Sequence, residues 1–315
     1  MTVRAAVDSA FRSHERFLWS LCYRMTGSAA DADDLVQDTF ARAIARPPAD
    51  TASPLRPWLV RVAMNLARDL LRRRRRSIYA GPWLPAPIET GDEGLELPPA
   101  HEPARTEARY DLMESVTLAF LLALEALSPP QRAVLILRDV LDYSVAETAD
   151  ALAMSASNVK TTHHRARRAM EAYDRHRCRP TAELTARTRA ALVRFLGAVR
   201  AQDAAALEAM LAADVVALTD GGGEFVAARV PLVGAQRVAH TYIRLAAQRQ
   251  DSPLRHDVRL LNGLPAILIE DTAPPTRWAP RWIIQVDIGD DDLIRAVHSV
   301  LASGKLGAVR PVTAA

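Results

Sequence analysis

Residues 145–170, VAETADALAMSASNVKTTHHRARRAM, decide how this chain is read. Two short helical patterns flank a tight turn at Ala153–Ser155. Ser144 and Glu147 have the spacing of a capping box, and Ser155 can cap the second helix, expected over 155–171. Ala149 is small where the helices must approach, and Leu152, Met154 and Val159 supply apolar contacts. This is the sequence form of a helix-turn-helix, whose second helix can enter the major groove of DNA. In that helix Val159, His163, Ala166 and Met170 share one stripe and should face the protein. The opposite face presents Ser157, Lys160, Thr161, His164 and Arg168, with Arg165 at its edge, and can reach phosphates and base edges. His163 reads as a packed residue rather than a base reader. His163 and His164 do not form a metal pair, because adjacent helix residues point apart. The plainer alternative is a helical hairpin with a basic solvent face.

Upstream, residues 109–176 read as helical, and Ser128-Pro129-Pro130-Gln131 has the form of a capped helix start. Residues 3–76 also read as helices. In the first, Val7, Phe11, Leu18, Leu21 and Met25 fall on one stripe. Ser28 can cap the next, which runs from Asp31 to Ala45 and stops before Pro47-Pro48. It contains DADDLVQDTFARA (31–43), with Leu35, Val36, Thr39 and Phe40 for burial and Asp33, Asp34, Gln37 and Asp38 for solvent. Such acids favour a helix start. They also suit a protein partner with basic side chains. A third helix is expected from about Leu55 to Arg76, with Pro54 and Pro57 near its start and Trp58, Val62 and Leu66 on one face. It ends in five consecutive arginines, Arg72–Arg76. Together with Lys160, Arg165, Arg167, Arg168, Arg175, Arg177 and Arg179, these point to a polyanion partner.

Residues 77–108 change character. Pro82, Pro85, Pro87, Pro98, Pro99 and Pro103 break helices, and Glu89, Asp92, Glu93, Glu96, Glu102 and Glu107 make an acidic, extended linker. After Pro180 an α+β domain is expected. Helices at 185–200 and 203–212 precede strands at 214–219 and 225–230 around the turn Asp220-Gly-Gly-Gly-Glu224. A helix at 235–249 and strands near 255–261, 265–270, 281–288 and 293–301 follow, with Gly289 and Asp290–Asp292 as a hairpin turn.

Composition sets the outer bounds. The 315 residues are 49% apolar and 24% charged, as in ordinary globular proteins, and the net charge of +3 says less than its distribution. No apolar run is long enough to span a membrane, and the N-terminus lacks a signal-peptide pattern, so a cytoplasmic protein is expected. Cys22 and Cys178 form no C-x-x-C pair, which argues against a disulfide scaffold or a cysteine zinc site. No metal or cofactor is expected, and no Walker loop, dinucleotide fingerprint or H-E-x-x-H occurs.

The blocks DADDLVQDTFARA (31–43), PLRPWLVRVAMNLARDLLRRRRR (54–76) and LSPPQRAVLILRDVLDYSVAETADALAMSASNVKTTHHRARRAM (127–170), in that order, resemble the extracytoplasmic-function (ECF) sigma factors of bacterial RNA polymerase. The resemblance implies two all-α domains, at 1–76 and 109–178. It makes core RNA polymerase and promoter DNA the partners. Asp33, Asp34, Gln37 and Asp38 would then dock on the polymerase. Trp58, Arg61, Asn65, Arg68, Arg72 and Arg73 would serve the −10 element, and the helix-turn-helix the −35 element. Opening a duplex requires capture of unstacked bases and backbone, for which aromatic and basic groups are suited. The domain at 179–315 resembles the SnoaL-like α+β cone that one ECF subfamily carries. Gly81-Pro-Trp-Leu-Pro-Ala-Pro87 resembles that subfamily's WLPEP linker motif, with Ala86 in place of its glutamate. Asp220-Gly-Gly-Gly-Glu224 resembles its DGGGK motif, with the lysine replaced by Glu224. Asn262-Gly-Leu-Pro-Ala266 has the look of a further signature, and VLASGKLGAV partly resembles an NPDKL pattern. Regulation is expected through contact of Trp83, Leu84 and Pro85 with Asp220, Gly221, Gly222 and Gly223. Asp220, His240, His256, Asp287 and His298 are the residues an enzymatic cone would use, but catalysis is not expected. A small ligand of the cone and an anti-sigma partner stay open. The rival reading is a one-component regulator pairing a helix-turn-helix with a ligand-sensing domain, which would not need the block at 31–76.

Overall fold

The computed structural model describes residues 3–47, 55–90 and 108–313, and the side chains from residue 11 onward. Pro48, Pro54 and most of the 46–56 loop lie outside the described residues. So do the side chain of Val7 and the linker residues Asp92, Glu93, Glu96, Pro98, Pro99, Glu102, Pro103 and Glu107. The chain forms two compact units, Met1–Ile78 with Glu96–Cys178, and Tyr79–Leu95 with Arg179–Ala315.

The first unit is helical. α1 (Val3–Thr26) buries Leu18, Leu21 and Met25. α2 (Ala29–Ala45) starts at Ser28, whose side chain accepts from Asp31 N at 3.2 Å, and buries Leu35, Val36, Thr39 and Phe40. α3 (Leu55–Arg74) buries Leu59, Val60, Ala63, Met64, Leu66, Ala67 and Leu71. The expected stripe Trp58-Val62-Leu66 is therefore displaced, since Trp58 and Val62 are only half-buried. α3 packs against α1 and α2 and also against later helices, so its small residues turn inward and the bulky indole stays at the rim.

Downstream come a short 3-10 turn (Glu114–Val116), α4 (Leu118–Leu124) and α5 (Pro129–Leu135), which continues into a π-helical turn at Ile136–Val140. α6 (Val145–Leu152), α7 (Ala156–Ala169) and α8 (Glu171–Arg175) complete the unit. Both capping boxes form, Ser128 with Gln131 and Ser144 with Glu147. α3 packs on α5 and α6, so the two helical segments make one body.

The second unit holds α9 (Ala182–Arg200), α10 (Ala204–Ala209), α11 (Ala235–Ala247) and strands β1 (Leu211–Asp220), β2 (Leu232–Val233), β3 (Leu254–Leu261), β4 (Leu264–Asp271), β5 (Arg281–Ile288) and β6 (Ile294–Val300). The sheet order is β2-β1-β6-β5-β4-β3, with β1 and β6 parallel and the other neighbours antiparallel. Val215, Ala217, Ile267, Ile284, Val286 and Val297 pack one face of this sheet against Leu192, Phe195 and Val238 of the helices. This is the α+β domain expected at the C-terminal end. Asn262 and Gly263, both at positive φ (52° and 81°), make the two-residue β3–β4 turn, as the right-handed strand twist favours.

Two expectations fail here. Residues 225–230 are not a strand, and β1 pairs antiparallel with β2 instead. The turn after β1 closes on itself, with Glu224 N donating to Gly221 O at 2.9 Å. The Asp220 carbonyl accepts from Leu301 N (2.8 Å) and Ala302 N (3.1 Å) on the β6 side, while the other edge of β1 is taken by the short β2 and Val226 N donates instead to Arg277 O at 3.0 Å. The helix expected over 203–212 stops at Ala209, because Leu211 already pairs with Ile294.

Candidate functional site

The helix-turn-helix is built from local chemistry. α6 ends on Ala153 in the left-handed conformation (φ 51°, ψ 49°), and Met154 N returns to Ala149 O at 2.9 Å. Ser155 then caps α7, accepting from Asn158 N at 3.2 Å. On α7, Val159 and Ala166 are buried, with Met170 buried at its cap, and His163 is half-buried. Ser157, Lys160, Thr161, His164, Arg165 and Arg168 are all exposed. Three arginine or lysine cations therefore stand on one solvent face without a carboxylate among them. On the opposite side His163 and Arg167 meet the buried Asp139, a partner that sequence spacing did not reveal.

On α2, Asp33, Asp34, Gln37 and Asp38 are exposed. Asp33 accepts from Trp19 Nε1 at 2.6 Å, so it is tied to α1, and the indole stacks on Tyr23. On α3, Arg61 and Arg73 are exposed, Trp58 and Asn65 are half-buried, and Arg72 pairs with Asp69 at 2.8 Å. Arg68, expected to serve the −10 element, is engaged within the helical unit in the free chain. It donates to Leu152 O, the last carbonyl of α6, at 3.2 Å and to Asn65 at 3.4 Å. Arg74 donates to Thr26 O at 2.5 Å and Arg75 to Leu127 O. Arg74 thus binds the C-terminal carbonyl of α1, where a cation is favoured by the dipole, and Arg75 the loop before α5. Two arginines that spacing did not single out are satisfied in the interior, Arg132 with an ion pair to Glu125 at 2.8 Å as well. Arg24, fully buried, bonds Ser20, Ser115 and Leu112, and Arg132 reaches Met25 O at 2.9 Å and Leu124 O at 2.7 Å. Burial pushes Arg24 down to about 10, which leaves it charged at neutral pH.

The expected regulatory residues meet inside the second unit. Residues 79–90 form an extended strap whose residues 84–88 are buried, rather than a solvated tether. At its start the fully buried Asp220 gathers donors. Tyr79 Oη lies 2.6 Å from Oδ1, Gly222 N 3.0 Å from Oδ1, Leu84 N 2.8 Å from Oδ2 and Lys305 Nζ 2.6 Å from Oδ2. Lys305 also donates to Leu84 O at 2.5 Å and sits 4.2 Å above the Trp83 ring. A buried carboxylate is tolerable only when paired and hydrogen-bonded, as here. The glycines let the strap close in. Gly222 has φ +60° and a Cβ there would meet Ala302 Cβ at 2.9 Å; Gly223 has φ +77° and its Cβ would meet Ala80 Cβ at 3.2 Å. Gly221 is buried at the same turn, and Pro85 is buried beside Leu84. Glu224 is exposed, so the cation at this node comes from Lys305, in the SGK stretch that partly resembles NPDKL. Nothing in the sequence pattern singled out Tyr79.

The far end of the strap is pinned to the β3–β4 turn. Thr90 N donates to Leu260 O (3.0 Å), Asn262 N to Ile88 O (2.9 Å), and Ile88 N to Asn262 Oδ1 (3.3 Å). Glu89 pairs with Arg259 (2.9 Å) and Arg310 (2.8 Å), and the bonds from Arg310 and Arg259 outweigh desolvation and hold its carboxyl below the ordinary value. Of the acid–base candidates in the cone, His298 is buried with its Nδ1 3.9 Å from Asp287 and unbonded, while His240 and His256 are exposed. Among the described residues no His, Cys, Asp or Glu cluster suits a metal ion, and no helix is long and apolar enough to cross a membrane.

Comparison with known proteins adds the following. A family model described as Sigma-70 region 2 matches residues 10–77, and one described as Sigma-70, region 4 matches residues 117–170. The ECF RNA polymerase sigma factor SigG of Mycobacterium tuberculosis is 43% identical over 165 residues, which are 49% of this chain and 45% of that protein. SigL of the same organism is 33% identical over 168 residues, 53% of this chain and 87% of that protein. The chain spans about half the length of SigG and SigJ, the first curated relatives it matches. The crystal structure of the M. tuberculosis extracytoplasmic function sigma factor SigJ has the same fold, with a TM-score of 0.69 over 95% of this chain and 98% of that one at 24% identity.

Proposed function

Given that this chain belongs to the extracytoplasmic-function RNA polymerase sigma factors, we propose that it binds core RNA polymerase, reads the −35 and −10 promoter elements and starts transcription. The observation that carries this reading is the exposed cationic face of α7, on a helix-turn-helix that shares one helical body with the acidic face of α2. The two faces suit different partners. Lys160, Arg165 and Arg168 complement phosphate and guanine edges. Asp34 and Asp38 would repel DNA and, with Gln37, instead complement basic side chains of the polymerase. A one-component regulator has no use for the second face. The protein acts in the cytoplasm, where its partners are, and it is a binding protein rather than an enzyme.

The C-terminal unit regulates through the strap. Residues 79–90 belong to the segment that joins the two sigma domains in sequence, so anchoring them at Asp220 and at Asn262 limits how far those domains can separate. In the free protein Arg68, Arg74 and Arg75 are engaged by carbonyls within the helical unit. Promoter binding requires some of these donors to let go.

The test is transcription in vitro with purified core polymerase and a promoter library. Initiation from a defined promoter class, lost when Asp34 and Asp38 are reversed in charge without change in circular dichroism, supports the reading. Unaltered core affinity of that variant removes the α2 assignment, and the absence of any initiation removes the function.

A further inference from the structure

The α7 helix has a back as well as a front, and the back is held in an unusual way. Its buried apolar residues are Val159 and Ala166, followed by Met170 at the cap. Apolar burial is non-directional, and Ala166 offers a single methyl group, so these contacts leave the rotation of α7 about its own axis loosely set. The directional contacts come from His163 and Arg167, one turn apart. Both reach Asp139, which lies in the π-helical turn after α5 and is 1% exposed. Asp139 Oδ1 lies 2.8 Å from His163 Nε2 and 2.6 Å from an Arg167 terminal nitrogen, while Oδ2 lies 3.0 Å from Arg167 Nε. The guanidinium fork therefore closes on the carboxylate with two bonds, a geometry that fixes orientation as well as distance. The main-chain oxygen of Asp139 accepts from Tyr110 N at 2.9 Å, so the carboxylate stands on a pinned backbone. Burial pushes this carboxyl up, but the bonds from His163 and Arg167 outweigh it and leave the group below its ordinary value.

We propose that Asp139 is a positioning residue for promoter readout: it clamps the back of α7 through His163 and Arg167 and so sets which of Lys160, Thr161, His164, Arg165 and Arg168 meet base edges. The proposal rests on the DNA-binding reading of α7. Side-chain tips lie about 5–6 Å from a helix axis, so a rotation of about 20° moves them by about 2 Å. That exceeds the tolerance of a hydrogen bond to a base edge. The clamp also holds back Arg167. Its side chain is 45% exposed and it follows Arg165 on the helix, yet its fork is closed on Asp139 rather than open to a phosphate.

The experiment uses the full chain and two duplexes, one carrying the −35 sequence it selects from a random library and one with that element scrambled. The ratio of the two affinities measures discrimination, the salt dependence counts phosphate contacts, and thermal unfolding monitors the fold. For D139N the discrimination should fall by about tenfold or more. Affinity for the scrambled duplex should not fall, and at low salt should rise, with its salt slope steeper by about one as Arg167 becomes able to reach phosphate. R167K keeps the charge but loses the fork. It should lower discrimination in the same direction, and it covers the case in which D139N does not fold. Unchanged discrimination in a folded variant overturns the clamp. So does an equal loss on both duplexes, which is what a purely structural role, or a direct phosphate contact by Arg167, would produce. A wild-type chain that fails to discriminate between the duplexes overturns the DNA-binding reading of α7, and the clamp with it.

Discussion

Arg24 in the helical unit and Asp220 in the C-terminal unit are both fully buried charges, and they are satisfied by different means. Arg24 meets neutral acceptors: Ser115 Oγ at 2.7 Å and the carbonyls of Ser20 and Leu112, each at 3.0 Å. Asp220 meets one cation, Lys305, and three neutral donors, from Tyr79, Gly222 and Leu84. The first arrangement ties helices together through dipoles that any helical chain possesses. The second draws together the strap, the glycine turn and the segment after β6 through one carboxylate. Removing Arg24 strands only neutral dipoles, whereas removing the Asp220 carboxylate strands a cation. The contrast belongs to these two sites and not to the units as wholes: in the helical unit Asp139 pairs with Arg167, Glu114 with Arg177 and Arg132 with Glu125, much as Asp271 pairs with Arg249 and Glu89 with Arg259 and Arg310 in the other.

The comparison is sharpened most by Asp220→Ala. Lys305 would lose its carboxylate partner and three donors, among them the buried Leu84 N–H, would lose their acceptor, so the C-terminal unit should lose about 3–5 kcal/mol. Calorimetry of the full chain would register this as an early transition, and a shift no larger than for Arg24→Met would break the contrast. Arg24→Met itself should cost about 1–3 kcal/mol, the expense of unpaired but uncharged acceptors. It should act on the helical transition alone, as read by denaturant unfolding followed through circular dichroism.

His298 offers a weaker probe of the same unit. Burial holds its pKa below the ordinary histidine value, with Asp287 opposing at 3.9 Å. A histidine depressed in the folded state binds fewer protons than the unfolded chain, so its contribution is complete above about pH 6.5 and declines as pH falls toward its folded value. The slope cannot exceed about 1.4 kcal/mol per pH unit. Wild type minus His298→Gln, compared at pH 7.5 and 5, should isolate this loss, and parallel acid profiles would refute it. The smallest effect belongs to the turn of the helix-turn-helix. Ala153 holds a left-handed conformation at φ 51° that glycine adopts without strain, so Ala153→Gly should stabilise the helical unit by about 1 kcal/mol. A lower melting temperature would mean that the methyl group contributes packing that outweighs the strain.

Much of the helical unit was legible because its signals are local. Ser28, Ser128, Ser144 and Ser155 cap the helices their spacing indicated, and Val159, Ala166 and Met170 lie on the inward stripe. The strap motif and the glycine turn were legible as a pair only through family resemblance. Where the reading missed, a non-local partner decided. Trp58 and Val62 were displaced from the core by helices that contact α3 from another part of the chain. The strand expected at 225–230 gives way to Leu232–Val233, which pairs with β1, while Val226 N bonds the distant Arg277 O.

The sequence by itself determined the helix starts marked by Ser28, Ser128, Ser144 and Ser155, the helix-turn-helix, the cationic face of α7 and the acidic face of α2, since each follows from residues within a few turns of one another. It also determined that an aromatic, proline-rich strap precedes the second sigma domain. Only the tertiary structure decided which charges are available. It assigned Arg68 to Leu152 O, Asp33 to Trp19, Arg167 to Asp139 and Lys305 to Asp220, pairs separated by 84, 14, 28 and 85 residues. A side chain's charge is written in its residue type, but the energy of that charge depends on what lies within about 4 Å of it. Over such separations the chain's path, and not its order, sets that distance.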